Sequence, residues 1–279
     1  MMVQKIRLIR WLVILVVWFS ATTVVQSGEP GKKLPDSKAI RILTVGNSFS
    51  NNACTYLESI AGSVPGCKIK IEKASLGGCS LQRHASLIDT CEMKSNAKPY
   101  SEKYCLKDLL QMEKYDFITI QQVSTSSFKV ETYQPYADKL IAFIRQHAPQ
   151  SEIVVHQTWA YAANSQRLKD WGMSRQEMHR GLTESYFKLA ATYGFDVLPS
   201  GSAFIKATSL NPSIDLWNPD RYHANMNGCY LSGCVWFGKF FGISPGKVNF
   251  IPEGMTAETA EFLRKTAEKT IKKQKTNKL

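Results

Sequence analysis

The sequence predicts an α/β fold, a three-layer α/β/α sandwich around a parallel sheet of five strands. Three observations lead there. Short apolar runs alternate with longer segments that carry apolar residues at helical spacing, the pattern of a parallel sheet covered by helices on both faces. Each run stops at a cluster of polar residues or glycine, the punctuation of strand ends. No internal repeat or interdomain linker interrupts the alternation, and 279 residues suffice to bury one full core.

The elements follow in order. In "RILTVGNSFSNNA" the run Ile42-Leu43-Thr44-Val45 is apolar, β-branched and too short for a helix, so it reads as the first buried strand. Residues 47–52 read as a turn, and residues 53–60 as a helix. "KIKIEKASLGG" is a second strand ending at Gly77-Gly78, followed by a polar, cysteine-flanked segment and a helix over residues 103–112. "YDFITIQQVS" is the third strand, "YADKLIAFIRQH" a helix, and "SEIVVHQTWAY" the fourth strand. "RQEMHRGLTESYFKLAATYG" is a long helix closed by Gly194, the residue that tolerates the left-handed turn after a helix. "FDVLPSG" is a short fifth strand. A helix over residues 227–241 and another from residue 256, fraying into the basic tail "RKTAEKTIKKQKTNKL", complete the chain.

The beginning reads as a leader, not as fold. Lys5, Arg7 and Arg10 precede an apolar run at residues 11–19, and small residues follow, the order of a secretory signal. Cleavage after Ser27 is expected, leaving residues 28–279 as one exported domain, secreted or periplasmic, with no stable membrane insertion. An uncleaved anchor is the alternative, but the run is short against the roughly 20 residues of a span. The formal charge is +12, much of it in the terminal tail. No aromatics interleave with those lysines, which argues against nucleic-acid binding; weak attraction to acidic polysaccharide or anionic membrane is compatible. Seven cysteines in an exported chain permit disulfides and leave at least one unpaired. Cys91 and Cys105 bracket a polar insertion and are assigned one bridge.

Candidate site residues collect at the carboxyl ends of the strands, where open parallel sheets build their sites. They are Ser48, Gly78, Gln121, Gln122, Ser124, Trp159 and Tyr161. Ser48 stands on a strand-to-helix turn, where unpaired N–H groups favour developing negative charge; a serine there serves equally as a helix N-cap. Near the other end, "WNPDRYHANMNG" places Asp220 and His223 three residues apart. A histidine that removes a serine proton needs a carboxylate on its other nitrogen, and Asp-x-x-His puts both on one local turn. The five histidines, His84, His147, His156, His179 and His223, form no pair at metal-binding spacing, so neither metal nor cofactor is expected. His84 is a candidate for lining the site or for a structural role. Trp159, Tyr161 and Trp217 are candidates for a sugar-stacking wall or for core.

Chain order separates hydrolase types. A G-x-S-x-G elbow needs glycine at position 50, where Ser50 stands. A serine after the first strand, with Asp and His together near the end, resembles the SGNH (GDSL-like) hydrolases. Gly46-Asn47-Ser48 stands where that family has Gly-Asp-Ser, "ASLGGCS" resembles its second block, and Asp220 and His223 match its final D-x-x-H. The third block departs: "QQVSTS" replaces G-x-N-D and looks more like the Q-x-x-S of sialate and carbohydrate acetylesterase branches. The resemblance implies a flavodoxin-like five-stranded sheet and a serine esterase with Ser48, His223 and Asp220 as its triad. It also implies an oxyanion hole from Ser48, Gly78 and the Gln121 amide, with Gln122 in reserve. A polysaccharide or small-molecule ester, most naturally an O-acetyl group, is the implied substrate. A lipase or thioesterase on the same machinery, and a non-catalytic glycan-binding protein of the same fold, are the rivals.

Overall fold

Five strands form one sheet in the computed structural model, which describes residues 38–276. The expected leader lies outside them. The strands are β1 (Lys38–Gly46), β2 (Cys67–Ser75), β3 (Phe117–Ile120), β4 (Glu152–His156) and β5 (Asp196–Leu198). Their order is β2-β1-β3-β4-β5, and all four pairings are parallel. The central runs are apolar because both faces are covered: Ile42, Leu43 and Val45 of β1, and Ile118 and Ile120 of β3, are fully buried.

The connections place the helices. From β1 the chain moves one way to β2 through α1 (Ser48–Cys54) and α2 (Leu57–Gly62). It then moves the other way, through α3 (Leu81–Met93) and α4 (Leu106–Met112) to β3, α5 (Tyr136–His147) to β4, and α6 (Gln166–Asp170) and α7 (Arg175–Tyr193) to β5. Right-handed crossovers therefore put the two groups on opposite faces. After β5 come α8 (Ser200–Leu210), α9 (Met226–Phe241) and α10 (Ala257–Thr276). Helix α9 packs against α1, α2, α8 and α10, while α3 packs on α5. Reversal of strand order at β1 leaves a crevice between the ends of β1 and β3, and both Ser48 and Gln121 follow those ends.

Several boundaries differ from the sequence reading. Helix α1 begins at Ser48 itself, because Asn47 takes the capping position and its side chain accepts the N–H of Phe49. The polar, cysteine-flanked segment after Gly78 contains α3, whose Leu81, His84, Ala85 and Ile88 form a buried stripe at helical spacing. Helix α8 has no counterpart in the reading. Helix α10 does not fray at the lysines: Ala260, Leu263, Ala267 and Ile271 continue one buried stripe, and buried Gln274 donates to the Val197 carbonyl of edge strand β5 at 3.2 Å. Helix α7 ends as read, at Gly194 with φ +72°. Cys91 and Cys105 are joined as a disulfide, and the other five cysteines are buried thiols. No described helix is long and apolar enough to cross a membrane.

Candidate active site

The side chains of Ser48, His223 and Asp220 meet. They come from the first turn of α1 and from the loop before α9, 175 residues apart in sequence. His223 Nε2 lies 2.8 Å from Ser48 Oγ, and His223 Nδ1 lies 2.7 Å from Asp220 Oδ2. The other carboxylate oxygen of Asp220 accepts the N–H groups of Tyr222 at 3.0 Å and His223 at 2.9 Å, which folds residues 220–223 into one tight turn. Burial pushes the Asp220 carboxyl up, but the Tyr222 N–H, the His223 ring and the His223 N–H outweigh it and hold Asp220 below the ordinary carboxylate range. Both partners keep access to solvent, with side chains 26% exposed for His223 and 34% for Asp220.

That loop is pinned from four directions. Asn218 N–H donates to the His223 carbonyl at 2.8 Å, and Ala162 N–H to the Arg221 carbonyl at 2.9 Å. Ala224 N–H reaches Asn52 Oδ1 at 3.3 Å. Asn52 stands one turn after Ser48 on α1, so the helix that carries the serine also positions the histidine. Trp159 supplies the fourth tie, its indole N–H donating to the Tyr222 carbonyl at 3.0 Å.

The structure corrects the assignment of Trp159 and Tyr161 to substrate contact. Both are fully buried. The Trp159 ring is sandwiched between Phe49 and Phe204, each at 4.6 Å between centroids, and Phe49 in turn lies 5.7 Å from the His223 ring. Tyr161 hydrogen-bonds Ser124 at 2.8 Å and accepts from Arg167 at 3.3 Å. Trp217 is also core, its N–H given to the Ala160 carbonyl at 3.1 Å. A sugar needs an open ring face, and these rings have none. Tyr222, half-buried, is the aromatic beside the site: its ring centroid is 4.3 Å from that of His223, and the Arg167 guanidinium sits 4.0 Å from the Tyr222 centroid. Neither residue was singled out from sequence, where a lone Arg and a Tyr carry no motif.

Gln121 is likewise corrected. It is 1% exposed, and its amide nitrogen donates to Asn47 Oδ1 at 2.7 Å. Its oxygen accepts from the buried Ser50 hydroxyl and lies 3.1 Å from His156 Nδ1. The amide is thus held inside the crevice, bracing the Asn47 turn. Gln122 points to the other face and is equally engaged: its oxygen accepts from Leu81 N–H at 3.0 Å and Val123 N–H at 2.9 Å, and its nitrogen reaches the Thr132 carbonyl at 3.0 Å. Gly46 makes room for this packing, since a Cβ there would stand 2.5 Å from Ser50 Oγ and 3.1 Å from Gln121. Buried His84 is structural, bridging Tyr100 Oη at 2.8 Å and the Gly46 carbonyl at 3.2 Å. Burial lowers its pKa to about 4, so it is neutral.

Gly78 lies in the loop after β2. Asn47 Nδ2 donates to the Cys79 carbonyl at 2.9 Å, and Leu76 N–H to the Gly46 carbonyl at 3.3 Å, which ties the 76–79 loop to the turn that holds Ser48. Gly78 is exposed, with φ +61°, a conformation that glycine adopts freely. Asn47 thus serves three ends at once: it caps α1, holds Gln121 and holds the Gly78 loop. Capping by Asn47 leaves the Ser48 hydroxyl for His223. Among the described residues no group of three or more His, Cys, Asp or Glu side chains is placed to hold a metal ion.

This chain resembles known proteins in sequence and in fold. A family model described as Domain of unknown function (DUF4886) matches residues 41–270. No curated protein matches it. The crystal structure of a DUF4886 family protein from Bacteroides uniformis is 27% identical, with a TM-score of 0.76 over 84% of this chain and 95% of that one. A protein from Slackia heliotrinireducens proposed to be an SGNH hydrolase is 21% identical, with a TM-score of 0.56 over 73% of this chain and 100% of that one. The acetyl xylan esterase AlAXEase is 11% identical, with a TM-score of 0.51 over 71% of this chain and 98% of that one. The fold is that of the SGNH (GDSL-like) hydrolases.

Proposed function

The chain belongs to the DUF4886 family, and from that premise we propose that it is a serine hydrolase of carboxylic esters. The observation that carries the reading is the continuous hydrogen-bonded chain from Asp220 through His223 to Ser48. Ser48 Oγ attacks the ester carbonyl carbon while its proton passes to His223 Nε2. Asp220, held ionised by its N–H donors, keeps the Nδ1 proton of His223 in place and stabilises the imidazolium. The carbonyl oxygen becomes an oxyanion that the backbone N–H groups of Ser48 and Gly78 receive. His223 then protonates the leaving alkoxide, and an acyl-Ser48 ester remains. Water, deprotonated by His223, attacks that ester and releases the acid.

An O-acetyl group on carbohydrate is the proposed substrate, on an exported protein. The support is the leader-like residues 1–27 and the likeness of fold to an acetyl xylan esterase. The Q-x-x-S block no longer contributes, because Gln121 is committed to the interior. A fluorophosphonate probe is expected to label Ser48 in the folded protein, and Ser48→Ala to abolish both labelling and p-nitrophenyl acetate turnover with circular dichroism unchanged. Acetate release from acetylated xylan is expected to exceed octanoate release from a p-nitrophenyl ester. A folded wild type that does not label would favour the non-catalytic reading, and faster octanoyl turnover the lipase reading.

A further inference from the structure

A cavity of about 920 Å³ lies away from Ser48 and shares no residue with the site above. It opens between α7, α8 and the last turns of α10, beside edge strand β5. Its volume falls within the range of small-molecule sites, roughly 300–1,000 Å³. The walls are mostly apolar: Phe187 and Ala191 from α7, Phe195 and Val197 around β5, Ile205 and Leu210 from α8. Leu210 is 54% exposed, an apolar side chain held at an open rim. From Ser202 to Leu210 the groove follows α8 for about 12 Å, by the rise of an α-helix.

Among the described residues the charged groups of this cavity have one sign: Lys206 and Lys273 line it, and no Asp or Glu does. Lys206 Nζ has the Lys269 carbonyl at 3.4 Å, while the charged groups that act on it are Lys273 and Lys269. Burial first, and then those two lysines, lower its pKa, the mark of a cation among cations. His179, at the end of the groove near Thr183 and Ser202, has a buried Nδ1 without a hydrogen-bond partner among the described residues. An apolar trough with paired ammonium groups is complementary to a molecule with an apolar body and an anionic head.

We propose that this cavity binds a free amphipathic monocarboxylate, its carboxylate on Lys206 and Lys273 and its chain along the α7–α8 trough. Head and tail are both required: the lysines supply charge-assisted hydrogen bonds, and the walls supply apolar burial.

Isothermal titration of the whole protein with sodium decanoate, below its micellar concentration, tests this. One saturable site per chain is expected, with acetate (head alone) and decanol (chain alone) each at least tenfold weaker. Two variants, both away from Ser48, close the argument. Lys206→Ala with Lys273→Ala removes the charges, and Ala191→Trp fills the trough from an exposed position of α7. Each is expected to weaken decanoate at least tenfold while leaving p-nitrophenyl acetate turnover and thermal unfolding as in the wild type. Absence of saturable binding to the wild type, decanol binding as tightly as decanoate, or both variants binding decanoate normally would overturn the proposal. So would a shift in oligomeric state with the filling variant, which would make the trough a contact between copies of the chain.

Discussion

Replacing Gln121 by leucine separates two roles that an amide at this strand end can hold. Leucine keeps most of the volume but deletes the oxygen that Ser50 and His156 share. Ser50 and His156 are both fully buried, so neither finds water as a substitute acceptor. An orphaned buried donor costs about 1–3 kcal/mol, so the two together cost about 2–6 kcal/mol. Asn47 loses its bond from Gln121 but keeps the Phe49 N–H at 3.1 Å, so the cap of α1 survives. With a urea m-value of about 2 kcal/mol/M, the unfolding midpoint is expected to fall by about 1–3 M. Turnover should be measured per active serine, counted by fluorophosphonate titration, so that loss of folded protein does not pass for loss of catalysis. kcat per labelled site is expected to stay within about threefold of wild type, because the Ser48, His223 and Asp220 contacts do not involve Gln121. An unchanged midpoint with kcat down by about 10²–10³, the usual loss of one oxyanion donor, would refute this reasoning and return Gln121 to the oxyanion hole.

Three further outcomes are expected. Burial lowers the pKa of His84 to about 4 and of His156 to about 3, against about 6.5 unfolded, so below pH 6.5 the unfolded chain takes up protons that the folded chain refuses. Stability is therefore full above pH 6.5 and falls toward pH 4 by about 1.4 kcal/mol per pH unit for each histidine; urea midpoints that do not change between pH 7 and 4.5 would contradict it. Dialysis against EDTA is expected to leave p-nitrophenyl acetate turnover unchanged, since no acid, histidine or thiol cluster among the described residues suits a metal; activity lost and restored by zinc would overturn the serine mechanism. The protein is expected to be exported and to begin at Gly28 on amino-terminal sequencing, and recovery of Met1 or Met2 at its terminus would show the leader to be retained.

The layered fold was legible because alternation of strand and helix is a local property: each run such as Ile42–Val45, and each periodic segment such as Tyr136–His147, announces itself without its partners. Ser48, Asp220 and His223 were legible for the same reason, since a serine after the first strand and a histidine three residues from a carboxylate are patterns of neighbours in sequence. Helix α8 was not: it opens Ser-Gly-Ser after Pro199, residues of poor helix propensity, and only burial of Ala203, Phe204 and Ala207 compensates. Alternation along β3 places Gln121 and Gln122 on opposite faces, yet says nothing of what lies across from each. An amide donates equally well to an oxyanion and to Asn47, and an indole packs equally well on a sugar and on Phe204. Such side chains declare a capacity, and the partner decides the role. Here the partners, Asn47, Ser50 and His156 for Gln121, and Phe49 and Phe204 for Trp159, arrive from distant parts of the chain, so tertiary packing alone made one a brace beneath the Ser48 turn and the other a core ring behind His223.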